Sequence, residues 1–140
     1  LFDLIKAHPL FSYGVSWTSP AVIDRINILE ATKRAMERAV LKLEKKVGES
    51  DLIFIDGSLN LNLQGDQKGI RGGDGRVFSC GAASIVAKVT RDRAMKRYHR
   101  LFPQYGFDCH KGYPTKLHRR NLRRHGPCRI HRRSFNLAGN

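Results

Sequence analysis

An α/β domain is the fold class that this sequence predicts. Stretches with helical spacing alternate with short apolar or alternating runs, the order that builds a sheet covered by helices. The 140 residues are 41% hydrophobic, enough for one domain with a real core and too apolar for wholesale disorder. No run reaches the length of about 18 apolar residues that a membrane span needs, so no membrane partner is expected.

Leu1 to about His8 reads as the tail of a helix. It begins without Met and resembles the middle of an amphipathic segment rather than a natural start. No secretory signal is visible. Tyr13-Gly-Val-Ser-Trp17 alternates like a short strand. Ser19-Pro20 supplies an N-cap followed by Pro at the first helical position. Val22, Ile26, Leu29, Met36, Val40, Leu43 and Val47 then form an apolar stripe, with a break near Asn27 and a stop at Gly48. Leu52-Ile-Phe-Ile55 is short enough for a buried strand and ends at Asp56-Gly57. Residues 58–73, rich in Gly, Asn and Gln, read as a loop with a possible edge strand. Ala82 to Leu101 returns to helical pattern, and Pro103 lies just beyond. Phe102 to Thr115 reads as a shaped loop that Gly and Pro keep out of helix. Residues 116–124 read as a short basic helix.

The net charge is +14, and its distribution matters more than its size. Residues 91–140 hold 14 Lys/Arg against 2 Asp, a net +12, and no acidic residue follows Cys109. A one-sided basic field attracts polyanions and points to nucleic acid. An ordinary solvated basic tail is the alternative. Phe102 to Thr115 adds rings to this field. A ring offers a flat face to a base or sugar, while Lys and His meet phosphate.

Cys80, Cys109 and Cys128 are odd in number and form no C-x-x-C pair. Free thiols in a reducing cytoplasm fit best. Cys109-His110 and Cys128-x-x-His131 raise a zinc site, but their spacing matches no common framework.

Two carboxylates could carry chemistry. Asp56 ends an apolar strand, on the sheet rim where α/β proteins place ligands. Asp74 lies in Gly72-Gly73-Asp74-Gly75-Arg76, where glycines permit close approach. Either could be a plain turn residue. Together they suit Mg²⁺ or Mn²⁺, hard cations that prefer oxygen. Ser84 and Lys88, four apart near the start of the predicted helix, could hold a phosphate with help from free backbone N–H groups. Asp92 sits between Lys88 and Lys96, a spacing that suits ion pairs on one helix face.

These residues resemble a known family. Ala82-Ala-Ser-Ile-Val-Ala-Lys-Val-Thr-Arg-Asp92 resembles the A-A-S-I-x-A-K-x-x-R-D segment of type 2 ribonuclease H, ribonuclease HII. Phe102-Pro-Gln-Tyr-Gly-Phe107, His110-Lys-Gly-Tyr-Pro-Thr115 and His131-Arg-Arg-Ser-Phe135 resemble its C-terminal motifs in order. Ile23-Asp24, Asn27-Ile-Leu29 and Ala31-Thr32 are similar to its middle helices, and Ile55-Asp-Gly57 to the strand end bearing a catalytic Asp.

The resemblance implies a ribonuclease H-like mixed sheet flanked by helices, with a C-terminal helical extension. It divides the chain into a partial catalytic core, residues 1–101, and a basic substrate-binding extension of the same domain, residues 102–140. It implies cleavage of RNA in RNA/DNA hybrids and 5′ to a single ribonucleotide in duplex DNA, by a cytoplasmic monomer using Mn²⁺ or Mg²⁺. Asp56 and Asp74 match the third and fourth of four catalytic carboxylates. Tyr113 matches the tyrosine that packs against the nucleotide next to the ribonucleotide. Lys111, Ser84 and Lys88 are expected substrate contacts. Two departures stand out. The fourth-carboxylate motif usually reads Lys-Gly-Asp, and Gly72 replaces the Lys, with Arg71 or Arg76 as substitutes. The family's adjacent Asp-Glu and its Gly-Arg-Gly, which senses the 2′-OH, are not found in these 140 residues. The expectation is a chain that lacks an N-terminal segment, exposes apolar surface and cuts poorly.

Overall fold

The computed structural model describes residues 1–135; the last five residues of the expected extension lie outside the described residues. In chain order the elements are α1 (Phe2–Ala7), α2 (Pro20–Val47), β1 (Leu52–Asp56), β2 (Asp66–Ile70), a 3-10 turn (Gly73–Gly75), α3 (Phe78–Leu101), a second 3-10 turn (Pro103–Tyr105), α4 (Phe107–His110) and α5 (Lys116–His125). The α/β class holds. Two compact units share them: Leu1–Thr18 with Ile28–Ala87, and Ser19–Asn27 with the described residues from Lys88 onward.

In the first unit, β1 and β2 pair in parallel, with Leu52 opposite Asp66 and Asp56 opposite Ile70. Ile53 and Ile55 are buried with Leu61, against Met36 and Val40 of α2 and Leu59 and Leu63 of the loop. The apolar run reads in sequence as a buried strand, and it is buried on one face. Strand side chains alternate between faces, so Leu52 and Phe54 take the other face and stay 46% and 38% exposed. The loop before β2 is organised by Gln67, whose amide accepts from Leu61 N–H and donates to the Leu61 and Leu63 carbonyls.

The strand expected at Tyr13–Trp17 does not form, because no strand pairs with it among the described residues. Its carbonyls go instead to cations of α2. Lys46 Nζ donates to Tyr13 O at 3.1 Å, Lys42 Nζ to Val15 O at 3.1 Å, and Arg38 Nη2 to Trp17 O at 3.2 Å. Two residues of extended chain span about 6.6 Å and four of helix about 6 Å, so the two repeats stay in step. Gly14 permits this approach, since a Cβ there would collide with the Ala39 carbonyl.

α2 begins and ends where the sequence predicts. The Ser19 hydroxyl accepts from Val22 N–H at 3.4 Å. At the far end Gly48, at φ 94°, donates its N–H to Glu44 O. The break near Asn27 is present, with φ 65° and ψ 169°, a region that is normally glycine territory.

α3 starts at Phe78, earlier than the predicted Ala82. The preceding turn feeds it directly: Val77 N–H bonds Gly73 O at 2.8 Å and Gly81 N–H bonds Val77 O at 3.0 Å.

In the second unit, Phe102–Thr115 is not an open loop. It contains a 3-10 turn and one turn of α-helix. Tyr105, Phe107 and Leu122 are buried there, packed by Met95, Phe102, Cys128 and Ile130. That burial offsets the weak helical tendency of so short a segment. α5 is capped by the Thr115 hydroxyl, which accepts from His118 N–H at 3.2 Å. Asp24, from the first turns of α2, clasps the C-terminal turn. Its carboxylate accepts from Arg133 N–H at 2.9 Å, Ser134 N–H at 2.9 Å and the Ser134 hydroxyl at 2.6 Å. The Ser134 hydroxyl and amide, with Arg133, hold this carboxyl below its ordinary range.

Candidate functional site

β1 delivers Asp56 to its C-terminal end, and the side chain stays exposed. Parallel pairing brings the chain back beside it: Gly57 N–H bonds Ile70 O at 2.8 Å. The turn after β2 then passes close, and Gly73 N–H donates to Asp56 Oδ1 at 2.8 Å. Asp74 is the next residue, also exposed.

Glycine at 73 leaves room for a close pass. A Cβ there would lie 3.3 Å from Asp56 Cα and 3.4 Å from Cys80 Sγ. Gly72 takes a left-handed φ of 66°, which suits the glycine that stands where the family pattern has Lys. Gly81 does the same service for α3, since its Cβ would sit 2.8 Å from Asp74 O. Buried Cys80 senses both acids. Burial pushes its thiol up, and the Asp56 and Asp74 charges push it further.

This pair suits a hard cation in chemistry, since oxygen donors are what such ions take. It does not complete a cage. Among the described residues no group of three His, Cys, Asp or Glu is placed to hold a metal. Arg71 and Arg76 are exposed, and neither pairs with these carboxylates among the described residues.

Ser84 and Lys88 are both exposed on α3. Because α3 starts at Phe78, they lie past its first turn. Free N–H groups occur only in the first turn, so the expected backbone help for a phosphate is not available there. Asp92 forms no ion pair with Lys88 or Lys96 among the described residues.

Tyr113 is 55% exposed, and the Arg91 guanidinium lies 4.4 Å from its ring centroid. Arg91 also donates to Lys111 O at 2.9 Å. Lys111 itself is in a left-handed conformation, φ 49°, and its ammonium bonds the Asp108 carbonyl. α5 presents Lys116, Arg119, Arg120, Arg123 and Arg124 as exposed cations.

The cysteines are free thiols. The Cys128-x-x-His131 pair does close up, with Sγ 3.1 Å from Nδ1. The other nitrogen of His131 meets His118 instead, so the two do not converge on one point as zinc ligands would. Sequence reasoning missed His118 as a partner of that pair. The available signal was three histidines, His110, His118 and His131, among the rings of one segment.

The comparisons with known proteins agree with one another. The family model for ribonuclease HII matches residues 1–138. Ribonuclease HII of Burkholderia pseudomallei (strain 1710b) is 50% identical over 135 residues, which cover 96% of this chain and 61% of that protein. Ribonuclease HII of Endomicrobium trichonymphae is 46% identical over 136 residues, covering 96% of this chain and 63% of that protein. That of Francisella philomiragia is 43% identical over 135 residues, covering 96% and 71%. The chain thus spans 61% to 71% of the length of these relatives. A match that takes in the strand end at Asp56, the turn at Asp74, the α3 motif and the C-terminal motifs together leaves one assignment: the chain belongs to the ribonuclease HII family.

Proposed function

We propose that this protein is a metal-dependent endoribonuclease that cleaves RNA in RNA/DNA hybrids and 5′ to single ribonucleotides in duplex DNA. The observation that carries this reading is the Gly73 N–H to Asp56 Oδ1 bond, which ties the Asp74 turn to the end of β1. Asp56 and Asp74 would hold Mn²⁺ or Mg²⁺. A divalent cation there supplies activation of water and stabilisation of the leaving oxygen in phosphodiester cleavage. Gly73 N–H orients the Asp56 carboxylate by engaging one of its two oxygens. Tyr113 would stack on the duplex, with Lys111, Ser84 and Lys88 as further contacts of the substrate, and the basic segment 102–140 would attract its phosphates.

The test is cleavage of a duplex carrying one ribonucleotide. Asp56→Asn should lower the rate of the whole protein by about a hundredfold or more, the scale of losing one preorganised electrostatic group. The double change Asp56→Asn with Asp74→Asn should leave duplex binding in place. These 140 residues alone, with two of the four expected carboxylates, should cut poorly; robust nicking by them would refute that part of the reading.

A second reading, a noncatalytic module that binds nucleic acid, draws on the exposed cations of α5. It predicts salt-dependent duplex binding and no cleavage by the whole protein under any divalent metal.

A further inference from the structure

His110, His118 and His131 are buried together around Phe107. His110 stacks on His118 with centroids 4.2 Å apart, and His118 meets His131 Nε2 to Nε2 at 3.1 Å. Two neutral rings in that geometry share one proton donor, and the backbone decides which ring supplies it. Cys128 N–H donates to His131 Nδ1 at 3.0 Å. That nitrogen therefore carries a lone pair, and the proton of the ring sits on Nε2. His131 Nε2–H then donates to His118 Nε2. The remaining His118 proton falls on Nδ1, where it donates to the Tyr113 carbonyl at 2.9 Å. The result is a one-way chain of hydrogen bonds from the Cys128 amide to the Tyr113 carbonyl.

Both rings must be neutral for this chain to exist. An added proton on His118 would face the N–H of His131, and one on His131 would face the Cys128 amide. Burial is the main cause that holds both rings below the ordinary histidine range; His118 lowers His131 further and His110 lowers both, against the Tyr113 carbonyl, which raises His118, and the Cys128 backbone, which raises His131. The titratable groups facing the pair are His110, Cys128 and Tyr105, while Arg91 lies over Tyr113 itself.

The rest of the Tyr113 backbone is fixed on the same side. Tyr113 N–H bonds His110 O at 2.8 Å, and Gly112 N–H bonds His110 Nδ1 at 3.1 Å. The ring is left exposed on a held backbone.

We infer that His118 and His131 are positioning residues for Tyr113: their neutral pair holds the pose in which its ring meets the duplex, and a proton on either ring releases it. This rests on the reading of Tyr113 as a duplex contact.

The experiment is binding of a fluorescent DNA duplex with one ribonucleotide, without metal, titrated from about pH 7.5 to well below the ordinary histidine value of 6.5. Affinity should fall about tenfold on acidification, the scale of one stacked base. Plain electrostatics gives the opposite sign, since any histidine that gains charge would tighten polyanion binding. Imidazole ¹⁵N spectra should show the Nδ1–H tautomer on His118 and the Nε2–H tautomer on His131, both giving way to imidazolium, with its two N–H groups, as the pH falls. His118→Leu should bind about tenfold more weakly at neutral pH and lose the acid response. His118→Asn, whose amide can replace the Nδ1–H donor, should restore most of the affinity. His118→Leu combined with Tyr113→Ala should be no weaker than Tyr113→Ala alone. A folded His118→Leu that binds like the unaltered protein while Tyr113→Ala binds weakly overturns the inference and spares the reading of Tyr113. Unaltered binding by Tyr113→Ala overturns both. The opposite tautomers in the spectra overturn the inference even if the variants do not fold.

Discussion

Gly73 is the glycine of the carboxylate site that lies against Asp56 itself. Gly73→Ala would press a methyl group against Asp56 Cα and Cys80 Sγ, at 3.3 and 3.4 Å. One of these neighbours is backbone, which yields little. The expected cost is about 1–2 kcal/mol, read as a lower urea midpoint, with metal binding weakened alongside. Asp56 was legible in the sequence because an apolar run ending in an acid marks a strand rim. Its partner was not, because a backbone N–H carries no residue-type signature. The same holds for His118 and His131, which meet through an angle between rings that no spacing encodes.

Among the elements, α2 was legible nearly end to end, since Ser19-Pro20, the break at Asn27 and Gly48 are local signals with local causes. α3 was misread at its start, because glycine at 81 argues against helix on propensity while the close pass of Asp74 O requires it. Tyr13–Trp17 was misread for a different reason. Alternation reports an extended backbone but not what its carbonyls bond to. Here three cations of α2 take them. Those lysines should therefore be slow to acylate. Lys42 and Lys46 should react about threefold or more slowly than Lys45 on the same turn, which is exposed as they are, the factor that a hydrogen bond of about 1 kcal/mol supports. Peptide mass mapping after brief treatment with acetic anhydride checks this, and equal rates at all three would contradict the bonding.

For the whole molecule, acid should act in two stages. His118 and His131 have lowered proton affinity in the folded state, so their contribution is complete above the ordinary value of 6.5 and declines as pH falls below it toward their lowered values. Asp24 is also lowered, so its contribution is complete above 3.8 and declines only below that. Melting temperature against pH should be flat near neutrality, then show a first fall beginning near pH 6.5 and a second below pH 4, with Asp24→Asn removing the second. The α/β class and the basic C-terminal half were legible because composition and periodicity are sums over many residues. The division into two units was not, because it depends on which distant segments meet. That division has a consequence for synthesis. Asp24 waits for Ser134, which follows 110 residues later. A ribosome must release almost the whole described chain before this clasp can close, so a nascent chain halted short of Arg133 keeps Asp24 open. The clasp thus registers that translation has run through the C-terminal motif.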